Sequence, residues 1–239
     1  AGLPSVAKPL EGWESPGVGL RGHFVGHYLS AVSALVERYE DAGLARNLEK
    51  VVEGMYACQQ AHGNGYLSAF PETDIEVLET RFTGVWAPYY TLHKIMQGLL
   101  VYLRTGNEKA YAMVEGLAGY VDRRMSKLDP ATVARMMYTA DANPQNEMGG
   151  MNEVLYQLYC VSGKPRYLEL ASLFDPSWFL EPLVRNEDIL SGLHANTHIV
   201  LVNGFARRYE STGEECYRKS VANFWNMLMH SHAYVNGTS

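Results

Sequence analysis

Apolar residues recur along the chain from Phe24 onward with the spacing of about 3.6 residues that marks one face of an α-helix. The strict alternation of apolar and polar residues that is typical of β-strands is nearly absent. The pattern therefore predicts an all-α chain. The predicted helices cover residues 24–41, 44–61, 86–105, 107–126, 130–140, 150–162, 165–174, 176–185, 197–211 and 214–231.

A weak repeat joins these helices into pairs. A tyrosine lies four residues before a glycine at four places, and a further helix follows each glycine closely. A glycine can adopt the left-handed conformation that ends a helix, and a tyrosine on the last turn can pack across the hairpin. The repeat predicts four helical hairpins in series, at Tyr39/Gly43, Tyr102/Gly106, Tyr159/Gly163 and Tyr209/Gly213.

Long segments precede the first helix of several pairs, as at residues 63–85 and 141–149. Loops that gather at one end of a helical array commonly build a site. Their length also makes the repeat less regular than in common helical solenoids. A toroid of paired helices, with loops at one mouth, fits this pattern better than an open rod.

Each long segment leads into polar and aromatic residues at the predicted start of an inner helix. One histidine pair is spaced by four residues and so lies on one helix face. The cluster at residues 193–198 precedes the apolar run 199–202, and Asn196 or Thr197 is predicted to cap that helix. The candidate site residues are His23, His27, Trp86, His93, Asn152, Glu153, His194, Asn196 and His198.

Metal binding and nucleophilic catalysis are weaker interpretations of these residues. Two His-x3-His spacings could each supply two zinc ligands, but zinc needs a third, and the accompanying Asn, Trp and Tyr are poor ligands. No Gly-x-Ser-x-Gly elbow is present. The separated Cys58, Cys160 and Cys216 are predicted to be small core residues. No metal ligand and no catalytic residue is therefore assigned, and any single histidine could simply be a capped or buried one.

Composition narrows the class of protein. The 239 residues, of which 47% are hydrophobic, suit one domain or at most two small ones. A net charge of −6 argues against nucleic acid as a partner. No apolar run approaches the roughly 20 residues needed to span a bilayer. The start at Ala1, without an initiator Met or a signal peptide, predicts a processed or truncated chain.

The candidate residues are well suited to a carbohydrate. Neutral histidine, Asn and Glu offer the donors and acceptors that hydroxyl groups need, and Trp86 could stack on the C–H face of a sugar. Glu153 alone does not make a glycosidase, because the usual hydrolysis uses two groups that flank the bond.

Five ordered motifs, at residues 21–31, 65–71, 85–94, 149–153 and 194–198, carry a resemblance to a known family. The chain resembles, from Ala1 to Ser239, the α-toroid of β-L-arabinofuranosidase-type enzymes of glycoside hydrolase family 127 and especially family 146. The resemblance implies part of an (α/α)6 toroid, in an enzyme that removes arabinofuranose from plant glycans with retention. It also makes a secreted or periplasmic location reasonable, although the compartment stays open.

The resemblance also implies where the family's chemistry lies. Its acid/base is a Glu shortly after the segment matched by residues 236–239, and its nucleophile is a cysteine further downstream, bound to zinc with other thiolates and a Glu. No cysteine of this chain matches that zinc cluster, so neither the nucleophile nor the metal is carried over. What carries over is sugar binding, by His93 and His198 first, and then by Asn152, Glu153, His27 and Trp86.

The leading hypothesis is a single but incomplete toroid domain over residues 1–239, an N-terminal piece of an arabinofuranoside hydrolase that binds substrate without performing the chemistry alone. The missing helices would leave an apolar flank exposed, which predicts self-association. The alternative is a noncatalytic helical module that binds sugar or serves as a scaffold.

Overall fold

The computed structural model of the protein describes residues 7–138 and 147–236. Within these ranges the secondary structure is helical throughout, and they contain no strand. The predicted loop at 141–149 and helix at 130–140 extend partly outside the described residues, as does the segment 236–239. The helices are α1 (His23–Tyr39), α2 (Ala42–His62), α3 (Glu72–Arg81), α4 (Pro88–Leu103), α5 (Glu108–Met125), α6 (Pro130–Met136), α7 (Met151–Ser162), α8 (Pro165–Ser172), α9 (Ser177–Val184), α10 (Ala195–Thr212) and α11 (Glu215–Met227).

The helices form two layers of hairpins. Helices α1, α4, α7 and α10 form an inner row in which each packs on the next. Each is paired with an outer helix that follows it, namely α2, α5, α8 and α11. The prediction of an all-α fold built from serial hairpins is therefore confirmed.

The hairpin turns follow the predicted glycines in part. Gly163 and Gly213 have φ of 67° and 73°, and their N–H groups donate to the carbonyls of Tyr159 at 2.8 Å and Tyr209 at 2.7 Å. The prediction for Gly43 was wrong. Glu40 takes the left-handed conformation there, and the Asp41 carboxylate accepts from the N–H of Gly43 and thereby places this glycine inside α2.

Part of the segment predicted as a loop at 63–85 is helical. Helix α3 begins directly after Pro71 and buries Ile75 and Leu78 against the core. Next to this buried face, Glu79 accepts two hydrogen bonds from Arg124 of α5, at 2.7 and 2.6 Å. The helix escaped the sequence pattern because only one narrow side of it is apolar, so its stability comes from packing and this ion pair rather than from a wide hydrophobic face.

Two of the cysteines are not core residues as predicted. Cys160 and Cys216 are exposed, and Cys58 is half-buried. Cys216 lies directly before Tyr217, one of the residues that α11 buries together with Phe224. Neighbours in a helix point about 100° apart, so a cysteine beside a buried aromatic residue faces solvent.

The two layers bury their apolar side chains in two clusters. The larger one extends from α1 to α8 and includes the fully buried Tyr89, Tyr156 and Phe174. The smaller one joins α9, α10 and α11. Trp225 and Met229 near the end of the described chain remain exposed, and self-association through such a flank stays a prediction. None of the helices in the described ranges is long and apolar enough to cross a membrane.

Glycines allow the inner helices to approach closely. A Cβ atom added to Gly26 of α1 would lie 2.0 Å from the carbonyl oxygen of Lys94 in α4. One added to Gly98 of α4 would lie 2.5 Å from the carbonyl oxygen of Gly26. Between α7 and α10, a Cβ on Gly204 would meet the side chain of Asn152 at 2.0 Å. Backbone therefore packs on backbone between α1 and α4.

We expect Gly26→Ala to lower the free energy of unfolding by about 3 kcal/mol or more, because the new methyl group would meet backbone atoms that cannot rotate away. Gly54→Ala is the matched control, since Gly54 lies inside α2 with nothing within 4 Å of the added Cβ. It should raise stability by up to about 1 kcal/mol through its better helix propensity. Urea unfolding of both variants measures the difference, and equal stability would contradict the close contact.

Candidate functional site

The first turns of α1, α4 and α7 bring together six polar residues. The His23 and His27 rings are 5.7 Å apart, and the Tyr90 ring is 5.9 Å from His23 and 6.3 Å from His93. The histidines and Glu153 were predicted as site residues, and Tyr90 and Lys94 belong to the motif at residues 85–94. We call this group the histidine cluster; its members are His23, His27, Tyr90, His93, Lys94 and Glu153.

His93 and Glu153 lie opposite each other across a small gap. The Nδ1 atom of His93 accepts a hydrogen bond from the Gly150 N–H at 3.1 Å, which places the proton of a neutral ring on Nε2. This Nε2 lies 3.9 Å from Oε2 of Glu153. Both atoms are buried, and neither has a hydrogen-bond partner among the described residues. A donor and an acceptor thus face the same point.

Burial sets the protonation of the cluster. Burial lowers the pKa of His93 well below its ordinary value, and the nearby Lys94 and His27 act in the same direction. Burial also lowers the pKa of Lys94 and of His27. Burial raises the pKa of Glu153, although the charges of Lys94 and Arg207 oppose this. At neutral pH His93 is therefore a neutral donor through Nε2.

The glycine pair before α7 makes this arrangement possible. Gly149 has φ of 59°, and an added Cβ would lie 2.8 Å from Nδ1 of His93. A Cβ on Gly150 would lie 3.0 Å from Nε2 of His93 and 3.2 Å from Oε2 of Glu153. A side chain at position 149 would strike the Nδ1 side of His93, and one at position 150 would enter the space between the imidazole and the carboxyl group, so the turn needs glycine at both positions.

Trp86 lies beside the cluster, just before α4. Its side chain is 40% exposed, and its indole N–H donates to Glu147 at 3.3 Å. The backbone of Glu147 also bonds to Trp86 and to Tyr90, at 3.0 and 3.2 Å. These bonds hold the segment that leads into α7 against the start of α4.

His23 is fixed by a carboxylate that sequence analysis missed. Its Nδ1 atom lies 2.8 Å from the Leu20 carbonyl and 2.8 Å from Glu14. Glu14 also accepts from the N–H groups of Gly22 at 2.6 Å and Phe24 at 3.0 Å. Glu14 thus caps α1 from outside the helix. It lies in a short 3₁₀ turn before the first predicted helix, where no periodic pattern points to it.

Asn152 is a connecting residue in this structure. It is fully buried, and its amide donates to Asp175 at 2.8 Å and to the Leu201 carbonyl of α10 at 3.1 Å. Its oxygen accepts from the N–H of Glu153 at 2.9 Å. Because its amide hydrogens are both used inside the protein, the predicted direct contact of Asn152 with sugar does not fit this geometry. Asn152 instead positions Glu153 and joins α7 to α10.

Asp175 is the second residue that the sequence did not reveal. It accepts hydrogen bonds from the Tyr156 hydroxyl and from the Tyr217 hydroxyl, the latter at 2.9 Å. Burial raises its pKa from 3.8 to about 6, against the lowering effect of these donors and of Arg208. A sequence Phe-Asp-Pro between two helices looks like an ordinary turn, so nothing distinguishes this buried carboxyl group before the structure is known.

The remaining candidates lie at the start of α10, around a separate cavity of about 760 Å³. His194, Asn196 and His198 line this cavity together with Phe224 and Tyr234. The predicted cap by Asn196 or Thr197 was wrong, because His194 takes the N-cap position without a side-chain bond and the helix begins at Ala195.

His198 is held in place between the N-cap and two aromatic rings. Its Nδ1 lies 2.8 Å from the His194 carbonyl, so a neutral ring carries its proton there. The Trp178 and Phe179 rings pack against it, each 5.6 Å away. The ring is therefore oriented by α9 and α10 and is only 2% exposed.

The described residues do not fit a zinc site. No group of three or more His, Cys, Asp or Glu side chains in the described ranges is arranged to hold a metal ion. The His-x3-His pair at 23/27 faces Tyr90 and Glu14, and the three cysteines lie on different helices. No step of a reaction is therefore derived through a metal in this part of the protein.

The paired inner and outer helices, with polar residues at the starts of the inner ones, define an α-toroid domain. The chain belongs to glycoside hydrolase family 127, because residues 1–239 match the family described as "Beta-L-arabinofuranosidase, GH127 catalytic domain". The sequence resemblance to this family is confirmed.

A solved structure supports the same fold. The crystal structure of a GH127 β-L-arabinofuranosidase from Geobacillus stearothermophilus T6 is similar with a TM-score of 0.59 and 17% identity. The match covers 89% of this chain and 36% of that enzyme, so the chain spans about a third of its length. The comparison with curated proteins found no match.

The raised pKa of Asp175 predicts a pH-dependent stability. Because its pKa is higher in the folded protein, its contribution is fully present below pH 3.8 and is lost as the pH rises through about 6. This shift corresponds to about 3 kcal/mol. The unfolding free energy of the unsubstituted protein minus that of Asp175→Asn should therefore fall by about this amount from low to neutral pH. Urea titrations across this range measure it, and a constant difference would contradict it.

Proposed function

We propose that this chain forms the substrate-binding part of an arabinofuranoside hydrolase acting on plant glycans. Membership of family 127 supports the reaction class. The observation that carries the binding role is the buried gap between His93 and Glu153, where a donor and an acceptor lie 3.9 Å apart and neither has a partner among residues 7–138 and 147–236. A sugar hydroxyl can accept from the one and donate to the other.

The chemistry of the cluster favours a neutral polyhydroxylated ligand. A buried polar atom without a partner costs about 1–3 kcal/mol, so a ligand that satisfies both atoms gains that energy on binding. The neutral His93 can donate a directional hydrogen bond without adding a charge. Lys94 counters the charge of Glu153 when Glu153 is ionised. Trp86, half-exposed beside Tyr90, supplies an apolar face for the C–H side of a ring.

The cavity at the start of α10 supplies a second set of contacts. Its volume of about 760 Å³ lies within the range of small-molecule sites. His198 forms part of its wall with a fixed ring orientation, and His194 and Asn196 add polar groups. We assign His23 and His27 to the binding surface as well, and Asn152 to the positioning of Glu153.

We assign the acid/base and the nucleophile to residues outside this chain. Retaining hydrolysis needs two groups on opposite sides of the glycosidic bond. The roles implied by the family resemblance fall on a downstream Glu and a zinc-bound cysteine, which none of the residues 1–239 matches. The chain also covers only 36% of the similar Geobacillus enzyme.

Loss of either partner across the gap should weaken sugar binding. Glu153→Gln keeps the shape of the side chain, and His93→Ala removes the donor. We expect the affinity for arabinose-containing oligosaccharides to fall about tenfold or more in each, because a hydrogen bond to a buried group is lost. His198→Ala should also weaken binding through the second cavity. Isothermal titration calorimetry gives the affinities.

The matched control for this series is His62→Ala, because His62 bonds to Glu72 at the surface, away from the cluster. It should leave the affinity unchanged. Thermal unfolding of each variant identifies any that are not folded, and Glu153→Gln tests the gap if His93→Ala unfolds. Unchanged affinity in Glu153→Gln and His198→Ala would favour a packing role for these residues.

The assignment of substrate binding to this chain and of the catalytic groups to residues outside it predicts different activities for two proteins. A protein that contains this chain within a complete family 127 enzyme should cleave an aryl arabinofuranoside, whereas residues 1–239 alone should not, because the two catalytic groups are missing. Release of the aryl group measures both rates. Turnover by residues 1–239 would refute this assignment. Sugar binding without turnover by the complete protein would favour the noncatalytic module.

A further inference from the structure

A groove beside the histidine cluster carries three exposed apolar side chains. It has a volume of about 340 Å³. Leu10, Trp13 and Phe24 along it are 62%, 67% and 55% exposed. Single exposed apolar residues are common on protein surfaces, but three around one concave surface mark a place of contact. We call it the N-terminal groove; its lining residues are Leu10, Glu11, Trp13, Glu14, His23 and Phe24.

The two aromatic residues are attached to a backbone that Glu14 fixes. Trp13 lies directly before Glu14 in the 3₁₀ turn Gly12–Glu14. The Glu14 carboxylate accepts from the N–H of Gly22 at 2.6 Å and from the N–H of Phe24 itself at 3.0 Å. The turn and the start of α1 are thus tied together, so the groove is formed before any ligand arrives.

The charge of the groove selects the kind of ligand. Among the described residues, its lining contains the carboxylates of Glu11 and Glu14 and no lysine or arginine. Glu14 uses its oxygens on His23 and on the helix start, whereas Glu11 is exposed and can accept from hydroxyl groups. Two acidic residues repel phosphate and carboxylate ligands. Aromatic faces beside a carboxylate that accepts hydrogen bonds from hydroxyl groups suit a neutral sugar.

The groove is continuous with the histidine cluster through one residue. His23 lines the groove, and the same ring lies 5.7 Å from His27 and 5.9 Å from Tyr90. Tyr90 in turn neighbours His93. These ring contacts place the N-terminal groove next to the histidine cluster, with His23 belonging to both.

We infer that the N-terminal groove binds the neutral sugar unit that adjoins the terminal sugar held at His93 and Glu153, with Trp13 and Phe24 as its stacking surface. This inference rests on the proposed function of the cluster. A second copy of the chain is the competing occupant, and the oligomeric state distinguishes it from a sugar.

The test compares one sugar with two. The affinities of methyl arabinofuranoside and of a neutral arabinose disaccharide are measured calorimetrically for the full chain and for Trp13→Ala, Trp13→Phe and Phe24→Ala. Trp13→Ala and Phe24→Ala should weaken disaccharide binding roughly three- to tenfold and leave methyl arabinofuranoside within about twofold. Trp13→Phe keeps an aromatic face and should retain most of the affinity. Trp225→Ala, with a similarly exposed indole on α11, is the control.

The outcomes separate this inference from the proposed function. If methyl arabinofuranoside binds but the groove variants leave the disaccharide unaffected, only the groove assignment is wrong. Equal weakening of both probes also overturns it, because the change would then act on the cluster. If neither probe binds the unsubstituted protein, the proposed function fails and the inference fails with it. A dimer that Trp13→Ala dissociates in sedimentation velocity would identify the groove as a contact between copies instead.

Discussion

The geometry of the candidate site depends on the backbone contact between α1 and α4. Gly26 lies between His23 and His27 in α1, and the atom that its missing side chain would strike is the carbonyl oxygen of Lys94. The contact therefore lies at the site itself, and it sets the spacing between the two histidines of α1 and His93 of α4. Gly204 plays the same part between α10 and Asn152, the residue before Glu153. Close packing of this kind is rigid, so the polar groups at the helix starts are held in one arrangement.

Two buried carboxyl groups in neighbouring parts of the fold show the difference between a connecting polar residue and one that keeps an unsatisfied oxygen. Asp175 receives hydrogen bonds from Asn152, Tyr156 and Tyr217, which come from α7 and α11. These three donors all belong to the protein, and through them Asp175 joins α7 to α11. Glu153 has a buried oxygen without a partner in the described structure, opposite an equally unsatisfied nitrogen of His93. An unsatisfied buried polar atom raises the free energy of the folded protein, and a bound ligand that pairs with it would remove that cost. The hydrogen bonds around Asp175 support the position of Glu153 through Asn152.

The sequence predicted the helices well, because they depend on local pattern. Periodicity identified every helix except α3, whose stability comes from Ile75, Leu78 and an ion pair with a distant arginine. The sequence could not separate Asn152 from Glu153, which are adjacent and equally polar. Their different environments arise from the Leu201 carbonyl and from Asp175, both distant in sequence. Glu14 and Asp175 were missed for the same reason, since a carboxylate in a short turn acquires its role only from residues that folding brings to it.

The polarity of the histidine cluster limits what the site can bind. Three helix N-termini meet there, and their partial positive charges favour electron-rich oxygen atoms. Burial, with the nearby Lys94 and His27, lowers the pKa of His93 and keeps this ring neutral. Glu153 offsets this potential when ionised, so the site as a whole carries little excess charge. Phosphate would need a concentrated positive surface, and an amine would need an unopposed carboxylate. A ligand with several hydroxyl groups and no charge needs neither of these. A hydroxyl can donate to Glu153 and accept from His93 without bringing a charge into a buried space.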